Sequence, residues 1–199
     1  MYDYRGLTIQ QRQELLRQRR KKGYPPHSPP HTMRDQSVYL ITASCFEHSC
    51  HMGPSNPGRR SEFLSLLFEK IIGQEIEILG WVILPNHYHL LVKVDEFETI
   101  GKTIRALHGV TACQWNRDEK AAGRKVWYRY SDRAIRSERH YFTTLNYIHY
   151  NPVKNRYVDD PYGWIESSVH WYRERFGRSW LQDLWRKYPL RSYGKGWDD

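Results

Sequence analysis

No apolar run in this chain approaches the roughly 18–20 residues that a membrane span requires. The N-terminal stretch MYDYRGLTIQQRQELLRQRRKKG has no signal-peptide apolar core. A cytoplasmic location without a membrane partner is therefore expected. Cysteine is scarce. Cys45, Cys50 and Cys113 make an odd count of 3, which argues against a disulfide framework. A Gly-rich phosphate-binding loop is absent, as is any solenoid-type repeat. A zinc hydrolase would want a third histidine or carboxylate ligand beside a base carboxylate, and no helix carries that motif.

Acidic residues are also outnumbered, 22 against 31 Lys and Arg, leaving a net charge of +9. Aromatic content is 15%, with 8 Trp and 15 Tyr, in a chain whose charged content reaches 27%. Flat rings stack on unpaired bases and basic side chains attract phosphates, so the balance points to a nucleic-acid partner. Such a charge also serves plain solubility; it informs partners, not fold.

The organisation reads as an arm with a linker, one domain and an extension. Residues 1–35 form a basic arm and a stiff YPPHSPPH linker; residues 36–160 form the domain; residues 161–199 form a Trp-rich extension. In the arm, Thr8 followed by Gln11 fits a capping box and predicts a helix. Its polar face carries Arg17, Arg19, Arg20, Lys21 and Lys22.

Within the domain, SVYLITASCF alternates as a first strand, and SEFLSLLFEKIIGQ has helical spacing with Ser61 as its cap. EIEILGWVIL and HYHLLVKV form a hairpin broken by Pro85-Asn86. A helix follows over ETIGKTIRALHGVTACQWNRDEK, then a strand over VWYRYSDRAI and a helix over SERHYFTTLNYIHYN. The order β-α-β-β-α-β predicts an α+β fold of the ferredoxin-like, RRM-like kind, with an extra helix and a helical C-terminal extension. In the extension a short helix is expected near Ser167 to Phe176, and YPLRSYGKGWDD reads as a tail.

His87 and His89 stand two apart on the third strand, so they share a face with Leu91 and Lys93. Tyr88, Leu90, Val92 and Val94 take the other face, under a helix. Two such imidazoles either chelate a divalent metal or serve as satisfied hydrogen-bonders. Tyr147 and Asn151 are four apart, on one helix face, with Lys154 a turn beyond. Pro152 biases Asn151 away from the helical region, which predicts a stop or kink there. Asn151 is either a third ligand or part of an amphipathic packing face. Arg133 and Arg136 are candidate phosphate contacts just before this helix. Cys45, His48, Cys50 and His51 lack finger spacing, so a reduced cysteine pair at a strand end is expected.

PNHYHLLV, YRYSDRAIRSERHYFTTLNYIHYNPVKNRYV and WIESSVHWY together resemble the IS200-like HUH single-tyrosine transposases, closest to the REP-associated branch. The likeness spans Gln36 to Tyr172, with His87-Tyr88-His89 as the His–hydrophobic–His motif. It implies a bacterial, nucleoid-associated enzyme that cuts and rejoins single-stranded, hairpin-forming DNA as a monomer or homodimer. It implies Tyr147 as nucleophile and His87, His89 and Asn151 as ligands of Mg²⁺ or Mn²⁺; by charge and position, Arg133, Arg136, Lys154, Arg19 and Arg20 are expected to face DNA. The loop CFEHSCHMGPSNPGRR and the basic arm depart from the family pattern. A non-catalytic single-stranded DNA or RNA binder on the same fold is the competing reading, and it has no need of all four site residues.

Overall fold

The computed structural model describes residues 37–195 except residue 57, together with residues 8, 10, 11, 13, 14, 17 and 18 of the arm. The elements are β1 (Val38–Ser44), α1 (Arg59–Ile71), β2 (Ile76–Ile83), β3 (His87–Val94), α2 (Phe97–Asp118), β4 (Ser131–Ala134), α3 (Glu138–Lys154), α4 (Val169–Phe176) and α5 (Arg178–Lys187). The four strands form one antiparallel sheet in the order β2-β3-β1-β4. This is the α+β, ferredoxin-like arrangement expected from the sequence.

Strand β3 sits inside the sheet, and only Lys93 of its eight residues is exposed. An antiparallel strand with one wet face would alternate; this one reads as a continuous apolar run because both faces are covered. On one face Tyr88, Leu90 and Val92 join Tyr39 and Ile41 against Phe63 and Leu67 of α1 and Ile100, Ile104 and Leu107 of α2. On the other, Leu40 and Leu91 meet Leu145 and Ile148 of α3, with Val169, Leu181 and Leu184 from α4 and α5 behind them. The second helical layer roofs the sheet face that an RRM leaves open to RNA.

Helix α3 can approach closely because β2 carries Gly80 beside a register shift. A Cβ at Gly80 would stand 3.0 Å from Leu145 Cδ1 and 3.7 Å from Ile148 Cδ1. Ser137 caps the helix, its Oγ accepting from the His140 N–H. Pro152 neither stops nor displaces it. The helix runs to Lys154 because proline removes one donor near the end, while Asn155 Nδ2 donates to both the Asn151 carbonyl and Oδ1.

Other expectations shift. Helix α1 starts at Arg59 behind Gly58, whose φ of +91° favours glycine. Ser61 is not its cap; its hydroxyl donates to Glu166 Oε1 at 2.9 Å. Strand β4 is four residues long. Trp127 makes only an isolated bridge to Cys45, so the aromatic stretch before β4 packs rather than pairs. The helical extension holds a second helix, α5, beyond the short one expected near Ser167 to Phe176. In the arm, Thr8 and Gln11 exchange the reciprocal bonds of a capping box, at 2.8 and 3.3 Å. Arg19 and Arg20 lie outside the described residues. Cys45 is buried, which pushes its thiol up to about 12, and Cys50 is exposed. Among the described residues no helix is long and apolar enough to cross a membrane.

Candidate active site

The period of two along β3 turns both motif histidines toward α3, and the period of 3.6 along α3 turns Tyr147 and Asn151 back toward them. His89 is the meeting point. Its Nε2 lies 3.4 Å from the Tyr147 hydroxyl and 3.1 Å from Asn151 Nδ2. These partners are 58 and 62 residues away along the chain, so the cluster is a product of the fold. The His87 and His89 rings sit edge to face at 5.1 Å, and the His89 and Tyr147 rings at 5.0 Å. All four side chains are buried.

Lys154 closes the site from the next turn of α3. Its Nζ lies 5.3 Å above the Tyr147 ring and donates to the Gly194 carbonyl at 2.7 Å. The residues around Gly194 thus lie on the nucleophile candidate. Tyr193 meets the Tyr147 ring edge-on at 5.7 Å, and its hydroxyl bonds with Thr144 Oγ1 and His140 Nε2. A Cβ at Gly194 would overlap the Tyr147 ring, and its φ of +75° also favours glycine.

Arg133 and Arg136 are exposed at the opposite end of α3. Arg133 lies on β4 opposite Leu40 of β1, and Arg136 precedes the extended Ser137 cap of α3. The structure brings together Tyr147, His87, His89, Asn151 and Lys154, with the two arginines beside His140, which bonds to the Tyr193 that lies on Tyr147. Beside them, burial and the charges of Arg133 and Arg136 hold the His140 ring below the usual imidazole range.

Sequence reasoning missed four groups here. Thr42 Oγ1 lies 2.8 Å from His89 Nδ1, Asn86 Oδ1 lies 2.7 Å from His87 Nδ1, and Asn155 holds the Asn151 amide. The fourth is the 192–195 segment. Only Asn86 left a signal, as the residue next to the motif, and it reads there merely as a turn former.

Among the described residues no group of three or more His, Cys, Asp or Glu side chains is placed to hold a metal. The donor set here is instead two imidazoles, with ring centroids 5.1 Å apart, and the Asn151 amide 3.1 Å from His89 Nε2. Such a mixed, thiolate-free set suits a divalent ion that keeps several waters, as Mg²⁺ and Mn²⁺ do.

An α+β sheet carrying a His–hydrophobic–His strand beneath a tyrosine-bearing helix is the architecture of single-tyrosine HUH proteins. Residues 56–151, which include all four site residues, match the family described as IS200-like transposases. The chain is 31% identical over 121 residues to a Haemophilus influenzae protein assigned as a REP-associated tyrosine transposase, covering 55% of this chain and 68% of that one. It is 27% identical over 126 residues to the REP-associated tyrosine transposase of Escherichia coli K12, covering 56% and 70%. In three dimensions it is similar to a REP-associated tyrosine transposase solved bound to a REP hairpin, with TM-score 0.59 and 20% identity over 74% of this chain and 86% of that one. The chain belongs to the IS200-like HUH single-tyrosine transposase family, in its REP-associated branch. It is thus a member of a family of DNA-cleaving and DNA-rejoining enzymes.

Proposed function

We propose that this protein cuts and rejoins single-stranded DNA at hairpin-forming, REP-type sequences, using Tyr147 as the nucleophile. The observation that carries this reading is the convergence of the Tyr147 hydroxyl and the Asn151 amide on His89 Nε2, at 3.4 and 3.1 Å. The 36–160 domain performs the chemistry, and the arm and the 161–199 extension support binding.

In the reaction the Tyr147 oxygen attacks the scissile phosphorus. The new bond is tyrosyl oxygen to phosphorus; the bond that breaks runs from phosphorus to the 3′ oxygen, which leaves as a hydroxyl after taking a proton. The 5′-phosphotyrosine keeps a phosphodiester, so attack by another 3′-hydroxyl restores the strand without a nucleotide cofactor. His87, His89 and Asn151 would hold the Mg²⁺ or Mn²⁺. That ion supplies charge neutralisation on the non-bridging phosphate oxygens. For Asn151 to ligate through Oδ1 its amide must turn over, since Oδ1 here accepts from Asn155. A free phenol titrates near 10, and the Lys154 Nζ lies 5.3 Å above the Tyr147 ring.

Arg133 and Arg136 and the arm residues Arg19 and Arg20 engage DNA phosphates, with affinity that falls as salt rises. The roof of α3, α4 and α5 over the sheet speaks against a binder that lays bases across the strands. The protein works as a monomer or a homodimer on this reading.

The test is a denaturing-gel assay for a covalent protein–DNA adduct, with single-stranded hairpin DNA and Mn²⁺. Tyr147→Phe should abolish the adduct, and His87→Ala should abolish cleavage while retaining much of the DNA binding. An adduct that survives Tyr147→Phe would assign the nucleophile elsewhere.

A further inference from the structure

An imidazole offers a metal or a hydroxyl a lone pair on one nitrogen only if the proton sits on the other. The partners of His87 and His89 decide which. Asn86 Oδ1, a carbonyl oxygen that can only accept, lies 2.7 Å from His87 Nδ1. His87 Nδ1 therefore carries the hydrogen. Asn151 Nδ2, which can only donate, lies 3.1 Å from His89 Nε2. His89 Nε2 is therefore the lone-pair nitrogen. Its Nδ1 carries the hydrogen and donates to Thr42 Oγ1 at 2.8 Å. Asn86 and Asn151, from different parts of the chain, thus set the same tautomer on both rings, and the Thr42 hydroxyl supplies the acceptor that the His89 Nδ1–H then needs.

We infer that Asn86 is a positioning residue that holds His87 as its Nδ1–H tautomer, and that Thr42 is one that, together with Asn151, does the same for His89, so that the unprotonated Nε2 of each ring is the nitrogen presented to a ligand.

Both partners are themselves fixed. Thr42 lies on β1 directly opposite His89 in the strand register. Its branched Cβ restricts χ1 and hence the direction of the hydroxyl. Asn86 ends the β2–β3 turn, whose backbone is tied down on three sides. Cys45 N–H donates to the Asn86 carbonyl at 2.7 Å, Met52 N–H to the Pro85 carbonyl at 3.0 Å, and Leu84 N–H to the His87 carbonyl at 2.9 Å. The order of Pro85, Asn86 and His87 thus has a physical meaning: the turn that ends one strand also supplies the acceptor for the first histidine of the next. Partners of this kind orient ligand rings, and their loss commonly weakens metal affinity about 10–100-fold.

The purpose assigned to this arrangement rests on the metal reading above, whereas the tautomers belong to the metal-free protein, so the two fail separately. The first measurement is a long-range ¹H–¹⁵N correlation of the histidine rings in the full, metal-free chain at mildly alkaline pH. Both rings should show the Nδ1–H pattern. An Nε2–H pattern for either ring in the unmodified protein overturns the inference without recourse to any variant.

Asn86→Ala should release His87 into mixed tautomers, and Thr42→Val, which removes the acceptor of the His89 Nδ1–H, should weaken the preference that Asn151 alone then imposes on His89. Asn86→Asp and Thr42→Ser, which keep an acceptor, should preserve the Nδ1–H form. The second measurement is a titration with Mn²⁺ alone, followed by electron paramagnetic resonance. Mn²⁺ affinity should fall about 10–100-fold in the alanine and valine variants and return in the aspartate and serine ones. Unchanged tautomers and unchanged Mn²⁺ affinity in the first pair overturn the positioning role. A wild-type chain that binds no Mn²⁺ but keeps both Nδ1–H rings sinks the metal reading and leaves the tautomer assignment standing.

Discussion

At the scale of single residues, Gly194 is as telling as any of the polar groups. Its left-handed φ and its closeness to the Tyr147 ring both require glycine, so Gly194→Ala cannot keep the 192–195 segment where it is. The expected outcome is release of that segment, with a more exposed Tyr147 ring and loss of the Lys154 bond to the Gly194 carbonyl. Limited proteolysis near the C-terminus should speed up, and adduct formation with hairpin DNA should rise alongside it. Faster proteolysis with an unchanged adduct rate would separate the segment from access to the tyrosine.

Elements explain why the site forms and how far it could be foreseen. Helix α3 presents Tyr147 and Asn151 as a unit, and its first turn is anchored by Ser137. Ser137→Ala should destabilise the protein by about 0.5–2 kcal/mol, read as a lower midpoint in urea unfolding with an unchanged slope. A shift in slope instead would point to a changed unfolded state. The strand of His87 and His89 was legible as a short apolar run set off by Pro85-Asn86, and the helix of Tyr147 because Tyr141, Leu145 and Ile148 recur at helical spacing. The end of α3 was misjudged at Pro152 because Asn155 secures the last turn from beyond it, through both its backbone N–H and its side chain. Strand β4 was drawn too long because Val126 to Tyr130 have strand-forming side chains that are used for packing; Trp127, for example, lies against Phe63 and Trp115. Thr42 could not be picked out, since its value depends on cross-strand register rather than on its neighbours in sequence.

Over the whole molecule, the two apolar layers carry an acid sensitivity. Burial pushes the His108 ring down to about 3, and burial together with the charge of His170 does the same to His149. His108 sits between the sheet and α2, stacked on Trp127, while His149 sits on the α3 side, bonded to Ser168. Unfolding frees both rings to take protons near 6.5. Because the unfolded chain then binds more protons, their contribution is complete above about 6.5 and is lost progressively as pH falls toward 3. Glu119 behaves likewise at lower pH: a hydrogen bond from Arg124, and then one from Arg59, hold it down to about 2. The melting temperature should therefore already drop between about pH 6.5 and 4.5, before carboxylates such as Glu119 protonate even in the unfolded chain. His149→Gln should flatten that part of the profile in calorimetry; an identical slope would remove His149 from the account.

The contact at Gly80 has a genetic consequence. The residue touches no catalytic atom, yet the absence of a side chain there lets Leu145 and Ile148 settle onto β2. The helix that carries Tyr147 is hinged on that contact, so a bulkier residue acts as a wedge and widens the gap that Tyr147 spans to reach His89. In a screen for lost activity, Gly80 is where variants should emerge that are abundant and folded yet silent, at a residue that touches none of those a motif search would flag.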